Sequence, residues 1–341
     1  MMACKDANKG GNGGKRKVTI GNLLEEYVYA PLFLFIAVLI WGENYYLVFC
    51  NLINFPVAIF FFISGFFINI GTRDTKEWLF KRMRRLLVPY ILWSLFYFVL
   101  SATMNGVKDV KYYLVALMLG NAAVPFYYII VLTVFTSITP LLLKARDSIK
   151  ASCVILFSTF IIQIVGYAFL LNKINLWGWI KYTPVWIAFY YGGMLAKQKR
   201  PHIPVSLVFL MIPISLLLEI AESLWMMKAG FNEAVFGQYR ISGFLYSASI
   251  CIAFLRMEKD YKVSSNVSKI VSRIGDDSFA IFFIHYIFII ILERLIPSSV
   301  PLPLVHIIEL AGCLIGSKAA ITIIKRVLKG KSCYMGVNAI R

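Results

Sequence analysis

The feature that most constrains this chain is a series of continuous apolar runs, each about as long as a bilayer is thick. A helix rises about 1.5 Å per residue and a hydrocarbon core is about 30 Å deep, so a spanning helix needs about 20 apolar residues. Runs of roughly this length fall at about 27–43, 54–71, 86–104, 124–143, 151–171, 180–196, 204–226, 241–255, 277–296 and 303–324. Backbone groups in lipid must bond internally, which restricts spanning segments to helices or closed barrels. The runs do not alternate polar with apolar residues, so helices are expected. Residues 110–122 (VKYYLVALMLGNA) are too short and too punctuated to cross; an interfacial or re-entrant helix fits them. The fold class is therefore all-α, a polytopic membrane protein of about ten spans. Composition agrees: 60% of the 341 residues are hydrophobic and 15% charged, too little polar surface for a soluble domain of this length.

The loop charges orient the frame. With the N-terminus inside, 27 of the 35 Lys and Arg fall in inside segments, seven in outside loops and one, Lys318, within the last span. This is the positive-inside pattern, and it predicts an even number of spans with both ends cytoplasmic. The net charge of +18 is then read as basic loops facing anionic headgroups, not as a nucleic-acid site. Residues 1–22 are polar and basic and read as a disordered cytoplasmic tail without a cleavable signal peptide. Residues 23–329 form the membrane domain, and residues 330–341 a second cytoplasmic tail. Of the six cysteines only Cys50 lies outside on this map, which excludes an external intrachain disulfide. No Cys or His spacing suggests a metal.

Three groups of residues carry possible chemistry. Lys81, Arg82, Arg84 and Arg85 precede an apolar span in KRMRRLLVPYILW, with Pro89 expected in the first turns of that helix. They read either as a topogenic cluster or as a phosphate site, since Arg presents a planar fork to phosphate oxygens and a helix N-terminus adds a favourable dipole. His285 follows Asp276, Asp277 and Ser278, which read as the N-terminal cap of the ninth span, and it sits about 12 Å further along the helix. A buried ionisable group at that depth faces the protein interior, as a bonded structural histidine or as a functional one. Glu219 and Glu222 share a helix face near the outer end, where Arg240 begins the next span. They read as an ion pair or as the polar lining of a substrate path. Glu309 and Lys318, nine apart in the last span, receive no role. Ser64-Gly65 in NFPVAIFFFISGFFI reads as a close helix-packing site.

The order of these motifs resembles the acyltransferase type 3 family of bacterial integral membrane O-acyltransferases. FFFISGFFI (Phe60–Ile68) is similar to the family's second-span signature. KRMRRLLVPYILW is similar to its RxxR segment followed by proline and an aromatic, with RxxR on Arg82 and Arg85. VPFYYIIVLTVFTSITPLL resembles its aromatic-led fourth span. RIGDDSFAIFFIH matches a late signature through Gly275, Ser278 and His285. The resemblance runs from about residue 24 to 330. It implies transfer of an acyl group, usually acetyl from acetyl-CoA, to a hydroxyl of a surface polysaccharide or lipid-linked sugar. Acyl-CoA is then a donor substrate, no cofactor is bound, and the cytoplasmic arginines contact the donor phosphates.

The resemblance breaks in the first span, where the family carries an Arg, ten residues, then a His thought to act as base. Ala30 and Trp41 occupy those places here, no Arg occurs between Arg16 and Arg73, and the first histidine of the chain is His202. Glu43 is the nearby group that would have to substitute as base. Two functions follow from the family: an O-acyltransferase, or a relative that no longer catalyses and exports a polysaccharide or small substrate. A transporter or structural membrane protein of another family is the third reading.

Overall fold

The computed structural model describes residues 45–69, 74–171, 185–199, 203–231, 235, 237, 240–260, 265–328, 332 and 334–337. Regular structure among them is helical: α1 (Tyr45–Leu52), α2 (Pro56–Phe66), α3 (Thr75–Asn105), α4 (Val110–Leu119), a short 3-10 turn (Val124–Phe126), α5 (Tyr127–Arg146), α6 (Ile149–Leu171), α7 (Trp186–Lys199), α8 (Val205–Lys228), α9 (Ile241–Asp260), α10 (Ser265–Leu295) and α11 (Leu302–Leu328). Seven of the described helical segments are long and apolar enough to cross a membrane. They are Tyr45–Phe66 (α1 and α2 together), Thr75–Asn105, Val124–Arg146, Ile149–Phe169, Ser206–Lys228, Gly275–Leu295 and Leu302–Leu328. The protein is a multi-pass helical membrane protein. Two further expected spans, 180–196 and 241–255, overlap α7 (Trp186–Lys199) and the apolar stretch Ile241–Arg256 of α9. The first expected span, 27–43, lies outside the described residues.

Residues 110–122 form no span. Asp109 caps α4, its carboxylate accepting from Tyr112 N at 3.0 Å. Gly120 closes the helix in the left-handed conformation, φ 69°. Ten residues rise about 15 Å, half of a bilayer core. Large apolar side chains cover the outside of the molecule, among them Val99, Leu141, Phe157 and Ile315, each 65–70% exposed. In water that surface would aggregate; in lipid it costs nothing.

The closest helix crossing is α2 on α7. Gly65 meets the backbone of Tyr190, and Gly193 meets the backbone of Phe62. A Cβ on Gly65 would lie 1.8 Å from Tyr190 O, and one on Gly193 would lie 2.0 Å from Phe62 O. Only hydrogen fits at either point, which is how small residues let helices touch in lipid, where tight packing replaces the hydrophobic effect. The same device joins α10 to α11, where Gly312 and Gly316 face Leu292 and Phe288. The interior is aromatic: Phe61, Phe126, Phe135, Tyr190 and Phe283 are buried in one cluster contributed by α2, α5, α7, α10 and the 3-10 turn. The described part of the C-terminal segment folds back onto it. Val337 is fully buried, and Trp93 Nε1 donates to Met335 O at 3.1 Å.

Candidate functional site

The basic cluster lies within a helix and not in a loop before one, contrary to the sequence expectation. Helix α3 starts at Thr75, with the Asp74 carboxylate accepting from Lys76 N, and Pro89 sits midway along it. The positive end of the helix dipole is therefore two turns from Arg82, and its effect fades within the first turn. The dipole contribution to a phosphate site is withdrawn. The helix instead sorts the four cations by face. Trp78, Arg82, Leu86, Tyr90, Trp93 and Tyr97 follow one another at helical spacing and form the stripe turned to the core. Arg82 is the one cation of the four on that stripe. Its Nη2 donates to Ser64 O at 3.4 Å, and its guanidinium lies 5.5 Å over the Trp78 ring. Its Nε is buried and bonds to none of the described residues. Beside it, Ser64 Oγ and Tyr128 Oη are 3.3 Å apart, and Thr139 Oγ1 and Tyr190 Oη 2.7 Å apart. Lys81, Arg84 and Arg85 are exposed, and Lys81 pairs with Glu77 one turn earlier. The RxxR pair is thus split into one arginine turned inward and one turned out.

His285 lies on α10, partly buried, with Nδ1 3.0 Å from Ile281 O of its own helix. Its ring lies 6.2 Å from that of Phe282, which in turn lies 5.5 Å from that of Tyr128. The expected cap before it is overturned. Helix α10 begins at Ser265, so Asp276, Asp277 and Ser278 are inside the helix. Ser278 Oγ donates to Gly275 O at 2.7 Å. Asp277 instead holds Lys318 at 2.6 Å and Lys325 at 2.9 Å, both on α11. That gives Lys318 the partner that its spacing from Glu309 did not reveal.

Glu219 and Arg240 do come together, on α8 and at the start of α9. Both are 0% exposed, and Arg240 Nη2 lies 2.9 Å from Glu219 Oε1. The guanidinium also donates to Glu219 O and Gly237 O, each at 3.1 Å, to Asn51 Oδ1 and to Ser223 Oγ. Asn54 Nδ2 donates to the same Glu219 oxygen at 2.7 Å. Gly243 makes room: a Cβ there would lie 3.1 Å from Glu219 Oε1. Glu222, one turn on, is separate and accepts from Ser242 N at 3.1 Å and from Ser242 Oγ. A charge in this setting has to be paired and hydrogen-bonded, and Arg240 is held by partners on α1, α8 and its own loop. Asn51 and Asn54 were missed in the sequence. Their signal was present, as two amides three residues apart in an apolar stretch, which in a membrane must find partners.

Glu43 lies outside the described residues. Among the described residues, no group of three or more His, Cys, Asp or Glu side chains is arranged to hold a metal ion.

A family model described as an acyltransferase domain matches residues 26–321. No curated protein and no solved structure matches the chain. The match covers most of the chain, including every motif on which the resemblance was drawn. The chain belongs to the acyltransferase type 3 family, a family of membrane acyltransferases.

Proposed function

We propose that this protein is a bacterial cytoplasmic-membrane O-acyltransferase. It transfers an acyl group, acetyl from acetyl-CoA, to a sugar hydroxyl of a surface polysaccharide or lipid-linked glycan. In this reading about ten spans cross the membrane and both ends are cytoplasmic. The observation that carries it is Arg82: a guanidinium on the core-facing stripe of α3, at the end the loop charges assign to the cytoplasm, with its Nε unbonded among the described residues. A donor in a buried guanidinium costs about 1–3 kcal/mol when unmet, and a phosphate oxygen meets it. Arg85, Arg84 and Lys81, exposed on the same helix, add long-range attraction for an anionic donor.

The test is CoA binding to purified protein in detergent, together with glycan acetylation in cells. Arg82→Ala is expected to abolish both, and Arg85→Ala to weaken binding in a salt-dependent way. Unchanged acetylation in a deletion strain would sink the proposal. The absent first-span Arg and His favour a second reading, a relative that exports glycan without modifying it. That reading predicts a deletion strain with less surface glycan but unaltered decoration.

A further inference from the structure

One ionisable group outside the sites above has the geometry of a working base. His306 lies in the first turns of α11, and its Nδ1 is 3.2 Å from Glu309 Oε2, one turn on. A carboxylate at Nδ1 fixes the ring orientation and the tautomer, leaving the Nε2 lone pair as acceptor. That Nε2 is buried and bonds to none of the described residues. The imidazole lies flat on Phe49, centroids 4.6 Å apart and planes 2° apart. Tyr46 and Tyr45 face it at 5.8 and 6.1 Å. Tyr46 is 43% exposed. By contrast, His285 turns Nδ1 to the Ile281 carbonyl of its own helix. His202 lies outside the described residues.

We propose that His306, oriented by Glu309, is the proton acceptor for the acceptor sugar hydroxyl, and that the faces of Tyr45 and Tyr46 bind the pyranose ring. The inference rests on the acyltransferase reading. The dyad lies at the end of the helices that the loop charges assign to the exterior, where a surface glycan is met. The balance of the step is simple. The hydroxyl proton passes to Nε2, and the oxygen's electron pair forms an ester bond to the acyl carbonyl carbon. The thioester C–S bond breaks, and the CoA thiolate leaves with that pair and takes the proton back from the imidazolium.

The experiment uses full-length protein in membrane vesicles supplied with radiolabelled acetyl-CoA, measuring label in the glycan fraction. CoA binding and thermal midpoint are measured on the same preparations. His306→Gln keeps a planar polar group but cannot take the proton. It is expected to lower transfer about 100-fold or more, in line with the loss of a general base, with CoA binding unchanged. Glu309→Gln is expected to lower kcat about 10-fold with the KM for acetyl-CoA unchanged, whereas a merely structural role would shift the thermal midpoint and leave kcat alone. Tyr46→Ala is expected to raise the KM for glycan. Transfer within twofold of wild type in both His306→Gln and Glu309→Gln overturns the proposal while leaving the acyltransferase reading intact. No transfer by the wild-type protein overturns both, and that failure is recognised before any variant is made.

Discussion

Removing the charge of Glu219 separates a structural brace from the lining of a substrate path. At 2.9 Å and an effective dielectric constant of about 20, the attraction between Glu219 and Arg240 is about 6 kcal/mol. Desolvating the two ions offsets most of it, so the intact pair contributes little net stability. The single substitution has a different balance. Glu219→Gln retains an oxygen for Asn54 but leaves a 0% exposed guanidinium without its counter-charge, and losses of this kind are about 3–5 kcal/mol. Arg240→Met leaves the carboxylate stranded, with a similar loss. The double substitution Glu219→Leu/Arg240→Met removes both charges. It still leaves Asn54 Nδ2 unmet, at about 1–3 kcal/mol, while Asn51 and Ser223 keep each other and the Leu47 and Glu219 carbonyls. We expect it to be less destabilised than the sum of the singles by 3 kcal/mol or more, read as a double-mutant cycle of reversible unfolding in mixed micelles. Additive effects, or singles within about 0.5 kcal/mol of wild type, would refute the brace and return these residues to the substrate path.

Gly65→Ala and Gly193→Ala each push a methyl group into helix backbone at 1.8 and 2.0 Å, so α2 and α7 have to move apart by more than 1 Å. Each is expected to lose at least the 1–3 kcal/mol typical of overpacking. Gly166→Ala in α6, with nothing within 4 Å of its Cβ, is expected to be neutral or slightly stabilising; thermal midpoints in one detergent compare the three. Asp277→Asn removes the partner of Lys318 and Lys325. Lys318 is 37% exposed and screened by solvent, so about 1 kcal/mol is expected, visible in the same melts. Truncation after residue 331 removes Val337 from the core and the acceptor of Trp93 Nε1. A loss of about 2–3 kcal/mol is expected from the buried side chain and the broken bond, and a blue or red shift in tryptophan emission should accompany it.

Helix existence was legible because length against bilayer thickness is a one-dimensional property. The run at 303–324 became Leu302–Leu328 with only its ends moved. Helix starts were not legible. Basic and acidic residues break the apolar run, but a helix does not start where an apolar run does, so α3 and α10 begin earlier and run through Lys81–Arg85 and Asp276–Ser278. The glycine at 65 was readable as a packing point, but its partner Tyr190 on α7 was a tertiary fact. Glu219 and Arg240 could be paired because adjacent spans place their ends together. Asn51, near the end of α1, and Asn54, in the turn after it, lie 165 or more positions away, which no local spacing predicts. The His306–Glu309 dyad was present as VHIIEL at helical spacing, and it was passed over because Glu309 was compared with Lys318, nine residues on.

The brace and the dyad meet at α1 and the turn that follows it. Asn51 and Asn54, which hold Arg240 and Glu219, follow Phe49 by two and five residues, and Phe49 is the ring on which His306 lies flat. The described part of helix α1 is Tyr45–Leu52. Its position is set from outside, by Arg240 donating to Asn51 and by Tyr246 Oη donating to Leu52 O at 3.0 Å. A ring two residues from that clamp moves when the clamp is released. On the reading proposed above, Glu219 and Arg240 would then position the aromatic wall, although they touch no reacting atom. Their loss should raise the KM for glycan while CoA binding at Arg82 stays unchanged, because Ser64 and Trp78 hold that guanidinium from α2 and α3. The charge-free double variant should recover glycan affinity in proportion to the stability it recovers.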